Sequence, residues 1–158
     1  MKLRLAVCLL LLGSAALTAR AEVVACPDPA AAVQVGTCPA EEELRHTFTG
    51  YCSDDARSYR GDSDVCTDYA SYRKLKNVVL WESADGAFQA YVSCELPAAM
   101  LRQARAVAVT AAKLGKINRL ACSYGPGLTF TYRTRAECTV AAPAACAADP
   151  AACKADCN

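Results

Sequence analysis

The chain has 158 residues, of which 33 are alanine and 11 are cysteine, and its 17 Lys and Arg side chains nearly balance 16 Asp and Glu side chains. This balance argues against nucleic acid as a partner, because such binding needs many basic contacts to phosphate. A single histidine argues against most histidine-dependent catalysis. The length allows one domain with a modest core, since much of the apolar content is alanine.

The N-terminus is typical of a cleaved secretory signal. Lys2 and Arg4 precede an apolar run from Leu5 to Leu17, and Ala19-Arg20-Ala21 matches the small-residue cleavage pattern. The apolar run is shorter than the roughly twenty residues that a membrane anchor needs. We therefore predict cleavage after Ala21 and a secreted or periplasmic protein whose mature chain has no transmembrane segment.

Cysteine is the most informative residue type in the mature chain. Removal of residues 1–21 leaves ten cysteines, and this even number in an exported protein indicates a disulfide framework. The predicted disulfide cysteines are Cys26, Cys38, Cys52, Cys66, Cys94, Cys122, Cys138, Cys146, Cys153 and Cys157. The sequence does not determine their pairing. Lipidation at Cys26, which follows a stretch similar to a bacterial lipoprotein box, is a minor alternative that leaves one thiol over.

Composition divides the mature chain into three parts. Residues 22–42 are rich in Ala and Pro and predict an irregular arm, residues 43–142 predict an α+β domain, and residues 143–158 predict an Ala- and Cys-rich tail. Alanine buries little apolar surface, so disulfide bonds must fix this tail if it is ordered.

Alternation of apolar and polar residues predicts a small antiparallel sheet of about five strands. The strands are expected near residues 44–52, 72–82, 87–95, 117–124 and 128–140. Asp85-Gly86 favours a tight hairpin between the second and third strands, with Trp81 packed on the buried face. Gly125-Pro126-Gly127 predicts a second hairpin, between the last two strands.

One helix completes the predicted fold. From Ala98 to Leu114, apolar residues recur at steps of three and four, Pro97 suits the first turn and Gly115 suits the end. The predicted fold class is therefore α+β, with one helix packed on the sheet and disulfides supplementing the core.

No residue pattern identifies a catalytic centre, so we predict a non-enzymatic protein with no metal and no cofactor. His46 lies within the first alternating segment, which is typical of a structural strand residue. The cysteine spacing does not fit zinc. The loop aspartates could bind calcium, because this ion favours several oxygen ligands on a flexible loop. Their spacing misses the EF-hand pattern, however, and a solvated loop is the favoured interpretation. These aspartates are Asp54, Asp55, Asp62, Asp64 and Asp68.

Basic and aromatic residues favour a protein-binding surface. If the strand that contains Trp81 neighbours the last strand, a basic patch edged by aromatic side chains forms, as is common at protein interfaces. The candidate binding residues are Tyr72, Arg73, Lys74, Lys76, Trp81, Arg133 and Arg135. An ordinary solvated sheet face is the alternative for the same residues.

Three short motifs resemble a family of small exported bacterial proteins with a domain of unknown function. They are Trp81, the aromatic strand Phe88 to Cys94 and the C-x-Y hairpin in Leu120-Ala121-Cys122-Ser123-Tyr124-Gly125. The resemblance covers residues 75–140 and implies a secreted or periplasmic β-rich domain without catalytic residues. The additional cysteines at both ends depart from that family.

These observations predict an exported, disulfide-rich binding or inhibitory protein of the bacterial periplasm or exterior, similar in role to an immunity protein or a hydrolase inhibitor. We expect a monomer whose partner is another protein. One alternative is a secreted, toxin-like effector that uses His46 with a loop carboxylate. The other is a structural envelope component with cysteine bridges between chains.

Overall fold

The computed structural model describes residues 21–53, 63–143 and 145–158. The predicted signal before Ala21 and most of the predicted aspartate loop lie outside these residues. The strands are β1 (Glu22–Ala25), β2 (Val33–Val35), β3 (Val78–Glu82), β4 (Gln89–Ser93), β5 (Ala108–Leu114), β6 (Ile117–Ser123), β7 (Thr129–Thr134), β8 (Cys138–Thr139) and β9 (Lys154–Cys157). The helices are α1 (Glu41–Cys52), α2 (Ser63–Cys66), α3 (Tyr69–Lys76), α4 (Ala98–Gln103) and α5 (Ala145–Ala148).

The described residues form two antiparallel sheets. The larger sheet has six strands in the order β2-β3-β4-β7-β6-β5, and the smaller has three in the order β1-β9-β8. The architecture is therefore mainly sheet with short helices, which corrects the prediction of about five strands and one helix. The additional strands β1, β2 and β9 lie in the arm and the tail, where composition gave no strand signal. The predicted division of the chain into domains stays a prediction.

One face of the six-stranded sheet, which we call the core face, carries the buried side chains. It comprises Val79, Trp81, Ala90, Val92, Val109, Leu120, Cys122 and Phe130. Phe130 on β7 is fully enclosed at 0% exposure and marks the centre of the core. The smaller sheet packs on the same face, where Ala155 and Cys157 of β9 contact Leu120.

Both predicted hairpins are present. Strand β3 pairs with β4 through Trp81 opposite Ala90, and Gly86 in the connection has φ +72°, as a tight turn with glycine allows. Trp81 belongs to the core cluster, as predicted. Strand β6 pairs with β7, and in the connection between these strands both Gly125 and Gly127 have a positive φ. The turn residues were sufficient local signals because few other residues adopt these backbone angles.

The predicted strand near 44–52 is wrong, because this segment is the helix α1. Glu41, Glu42 and Glu43 occupy its first turn, where negative charge stabilises the positive end of the helix dipole. Phe48, one turn after buried Leu44, stacks on Tyr72 of α3 with ring centroids 5.2 Å apart. The alternation of apolar and polar residues on which the strand prediction was based covers too few positions to distinguish a strand from one face of a helix.

The predicted strand near 72–82 contains two elements. Its first part belongs to α3, whose N-cap is Asp68, with a side-chain oxygen that accepts a hydrogen bond from the Ser71 backbone N–H at 2.7 Å. Such capping favours a helix start at Tyr69. The strand β3 begins only at Val78.

The predicted helix from Ala98 to Leu114 is also corrected. Helix α4 ends at Gln103, and the second half is the edge strand β5, which pairs along its whole length with β6. Gly115, at φ +63°, starts the two-residue turn between Leu114 and its partner Ile117. The β-branched residues of this segment favour a strand, and pairing with β6 outweighs the helical spacing of its alanines.

The predicted last strand, 128–140, divides at its end. Strand β7 ends at Thr134, and the following β8 belongs to the smaller sheet. The chain therefore passes from one sheet to the other between these two strands.

All ten predicted cysteines form disulfide bonds, which confirms the predicted framework. The pairs are Cys26–Cys122, Cys38–Cys94, Cys52–Cys66, Cys138–Cys157 and Cys146–Cys153. Cys26–Cys122 links the N-terminal arm to β6, and Cys138–Cys157 links β8 to β9. The arm and the tail are thus held covalently, and Cys146, Cys153 and Cys157 are themselves buried.

We predict that the bridges differ in their contribution to stability according to loop length. The Cys26–Cys122 bridge spans 96 residues, whereas Cys52–Cys66 spans 14. Loop entropy gives about 4–5 kcal/mol for the long loop and about 3 kcal/mol for the short one. Urea unfolding followed by fluorescence of Trp81, the only tryptophan, should therefore show a larger loss for C26S/C122S than for C52S/C66S. Equal losses would contradict the assignment of Cys26 to Cys122.

Candidate protein-binding surface

The six-stranded sheet has a second face, opposite the core face, which we call the outer face. It consists of every second residue of each strand, starting from Val33, Val78, Gln89, Ala108, Ile117 and Thr129. Alternation along the strands places these side chains together. All of them are exposed or half-buried, whereas their neighbours on the core face are mostly buried. The outer face is therefore the large solvent-facing surface of the sheet.

A group of apolar side chains lies at the β2-β3-β4 end of the outer face, and a separate exposed pair, Leu114 and Ile117, lies at the β5-β6 end. Val35, Leu80 and Tyr91 are consecutive cross-strand partners on β2, β3 and β4, and Val33 lies beside them. We call these four residues the apolar strip. Tyr91 is 73% exposed, Val33 56% and Val35 42%. Scattered exposed apolar residues are ordinary, but a contiguous group on a flat sheet is typical of an interaction site.

Two arginine side chains lie on β6 and β7 of the outer face. Arg119 on β6 and Arg133 on β7 are direct cross-strand partners, and we call them the arginine pair. Glu82 is the carboxylate on this face, and its Oε1 accepts a hydrogen bond from Nε2 of Gln89 at 2.9 Å. The uncompensated charge of the outer face is therefore positive.

The predicted basic and aromatic patch does not form as expected. Tyr72 and Trp81 are only 3% and 4% exposed, so they support the core rather than a binding surface. The predicted adjacency of the strands is corrected too, because β4 lies between β3 and β7. Arg133 does lie on the open outer face, and Arg135 is exposed just after the end of β7.

The other predicted basic residues lie on α3. Lys74 and Lys76 are exposed, and Nζ of Lys76 lies 4.9 Å from the centre of the Tyr51 ring. Arg73 instead joins three elements: its Nε lies 3.1 Å from Oε2 of Glu41 on α1, and its Nη1 donates to Glu95 after β4. The hydrogen bond from Arg73 lowers the pKa of the Glu41 carboxyl below its usual value. Arg73 is therefore committed to holding α1 in place.

A groove of about 620 Å³ lies beside α1 and α3. His46 lines it together with Glu43, Tyr51 and Lys76, and His46 is exposed on the helix rather than placed in a strand as predicted. Of the loop carboxylates proposed as its partners, Asp54, Asp55 and Asp62 lie outside the described residues, whereas Asp64 is part of α2 and Asp68 caps α3. Among the residues that the structure describes, no group of three or more His, Cys, Asp and Glu side chains could hold a metal.

A second cavity, of about 300 Å³, lies between the arm, the end of α4 and the tail. The phenol of Tyr124 donates a hydrogen bond to the carbonyl of Pro27 there, and burial raises the pKa of Tyr124. Proline and alanine supply much of the remaining lining. The residues around this cavity have a structural role, since the hydrogen bond from Tyr124 anchors the arm beside the Cys26–Cys122 bridge.

Sequence reasoning missed Tyr91, Val33, Val35 and Arg119. The alternation in β4 places Tyr91 on one face of the sheet and its neighbours Ala90 and Val92 on the other, and this pattern was visible in the sequence. The alternation alone could not show which face of the sheet is covered by the arm and the tail, because both segments lie far from β4 in sequence. Exposure of the outer face is thus a tertiary property.

We predict that Glu41 stabilises the fold only when it is ionised. Its pKa is lowered from 4.5, chiefly by the hydrogen bond from Arg73, so its contribution is present above this pH and disappears as the pH falls through the lowered pKa. Urea unfolding should show that Glu41→Gln is less stable than the wild type near pH 7, with the difference closing near pH 3. Glu42→Gln, one position away and exposed in the same first turn, removes the same charge from the helix dipole and is the matched control, so its loss of stability near pH 7 should be the smaller of the two. A constant difference for Glu41→Gln across this range would contradict the ionic contact.

Comparisons of the chain with protein-family models, with curated proteins and with solved structures found no match. The family resemblance of residues 75–140 therefore stays a prediction. In the described ranges, no helix has the length and apolar character required to cross a membrane.

Proposed function

We propose that this protein is exported and binds another protein through its outer face, without catalysing a reaction. The apolar strip around Tyr91 is the observation that carries this proposal. An immunity-like or inhibitory role in the bacterial periplasm or exterior fits such a molecule, because blocking a partner requires only a stable complementary surface.

The rigidity of the scaffold supports a binding role. Cross-strand pairing fixes the backbone beneath the apolar strip, and Cys38–Cys94 tethers the chain just after β2 to the end of β4. Val33 and Val35 are β-branched and stiff at χ1, and Tyr91 has few rotatable bonds. Such a surface loses little conformational entropy when a partner covers it, so more of the interaction energy appears as affinity.

The disulfides support export. Five bridges among the described residues are typical of a protein that matures in an oxidising compartment. Cys26 uses its sulfur in the bond to Cys122, and the same sulfur cannot carry a lipid thioether. A soluble export route with cleavage after Ala21 is therefore favoured over lipidation at Cys26. Pairing of the ten cysteines within one chain also favours a monomer over a component linked between chains.

A toxin-like effector that acts through His46 is the second candidate. The groove beside α1 favours it, because this groove places an imidazole near Glu43 and Lys76. The two candidates use different surfaces, since His46 lies on a helix and Tyr91 lies on the outer face. Single substitutions therefore distinguish them.

We predict that Tyr91 is an energetic anchor of the complex. Tyr91→Glu should weaken binding by about thirtyfold or more, since burial of a central tyrosine is typically worth ~2 kcal/mol or more. The partner would be identified by affinity capture from envelope extract, then purified and titrated by calorimetry. Met100→Glu is the matched control, because Met100 is 61% exposed on α4, away from the outer face, and should change the dissociation constant little.

Equal binding by wild type, Tyr91→Glu and Met100→Glu would refute the proposed surface. His46→Ala tests the second candidate in the same material. Loss of biological activity in His46→Ala with intact partner binding would favour the effector, whereas unchanged activity would eliminate that mechanism.

A further inference from the structure

We propose that the arginine pair is an anion site that receives a carboxylate from an acidic segment of the partner protein. This inference rests on the proposed function and names the chemistry that the partner must present. It concerns Arg119, which no sequence pattern singled out, together with Arg133.

The arginine pair places two positive charges side by side on the sheet. Arg119 is the direct cross-strand partner of Arg133, and both side chains alternate with core residues so that they project from the outer face. Like charges at directly opposed positions destabilise a sheet. The third member of this row, Ala112 on β5, offers no compensating charge.

Arg119 carries a second unfavourable feature. Its Nε is buried and donates no hydrogen bond to any of the described residues. A buried donor without an acceptor loses its interaction with water and gains nothing in return. Because this Nε is enclosed, an external anion would contact other atoms of the arginine pair, and the two unpaired like charges are the feature that is typical of a site whose counter-charge is supplied from outside.

Three carboxylates of the described chain are engaged with other side chains. Glu82 accepts from Gln89, Glu137 lies 2.7 Å from Nζ of Lys113, and Glu95 accepts from Arg73. The ion pairs of the described residues do not include Arg119 or Arg133. The arginine pair therefore has its guanidinium charges available for an external anion.

A protein carboxylate fits this position better than an isolated ion does. Planar guanidinium groups bind carboxylates through paired, charge-assisted hydrogen bonds. The arginine pair shares the outer face with the apolar strip, and Arg133 is two residues along β7 from Thr131, the partner of Gln89. An acidic segment of a docked protein could contact both areas at once, whereas a small ion would use only one.

The site can be tested with a hexaglutamate peptide as the probe. The disulfide-intact mature chain, labelled with ¹⁵N, would be titrated at constant ionic strength while the Arg Nε–H signals are recorded by NMR. We expect the signals of Arg119 and Arg133 to shift progressively with hexaglutamate. Hexalysine at matched concentration should leave them nearly unchanged, and inorganic phosphate should shift them less than hexaglutamate, because a single small ion offers fewer contacts to the outer face.

Charge-neutralising variants make the assignment specific. R119Q/R133Q should weaken hexaglutamate binding at least tenfold. R102Q/R105Q removes the same charge from a different region, because Arg102 lies over the Trp81 ring on the core face and Arg105 follows α4. This control should bind the peptide as the wild type does.

A single reversal of charge separates folding from binding. Arg133→Glu replaces the like-charge pair with an opposite-charge pair, so the melting temperature should rise while hexaglutamate binding is lost. A damaged fold would lower both quantities, so this combination identifies a site in which stability is sacrificed for binding.

The inference is overturned if R119Q/R133Q binds hexaglutamate as tightly as the wild type, or if the wild type does not bind it. Equal shifts with phosphate would also overturn it, since they show a site for any anion. These failures are distinct from failure of the proposed function, which is decided by Tyr91→Glu with the intact partner.

Discussion

The disulfide bonds that order the arm and the tail over one face of the six-stranded sheet are the constraint on which the rest of this structure depends. Cys26–Cys122 attaches the arm to β6, and Cys138–Cys157 holds the strand pair that covers Leu120. Alanine-rich ends contribute little apolar area of their own, so the bridges supply order that packing alone would not. Because the arm and the tail both pack on the core face, the outer face stays exposed to solvent.

The outer face is continuous although it is built from two hairpin systems. The β2-β3-β4 half carries the apolar strip, and the β7-β6-β5 half carries the arginine pair. The halves meet where Gln89 pairs with Thr131, and Oγ1 of Thr131 donates to the Gln89 carbonyl at 3.1 Å. Below this seam, the rings of Phe88 and Tyr132 lie 5.3 Å apart. A docked protein would therefore meet two chemically different areas at a fixed separation.

The sequence predicted those features that depend on local chemistry. Asp85-Gly86 located one hairpin, and an even cysteine number in a chain with a predicted export signal predicted that all ten would pair. Segment 44–52 and the second half of segment 98–114 were predicted wrongly because their spacing fits a helix and a strand alike, and the choice is made by Tyr72 for α1 and by β6 for β5. The candidate site likewise combines features that local sequence reveals with features that only the tertiary structure reveals. A basic residue such as Arg133 is visible in the sequence, but its apposition to an arginine on β6 requires the register.

A comparison of the outer face with the groove beside α1 and α3 indicates which surface is the better candidate for a functional site. His46 is an exposed residue on a surface helix, and its placement violates no rule of stability. The outer face instead combines an exposed tyrosine, a like-charge pair and a buried donor without an acceptor. The exposed tyrosine and the like-charge pair are unfavourable in the free protein, and both would become favourable if an acidic, partly apolar protein surface covered them. A scaffold stabilised by five disulfides can retain such features without unfolding, so the cross-links would allow the proposed binding surface to persist in the free protein.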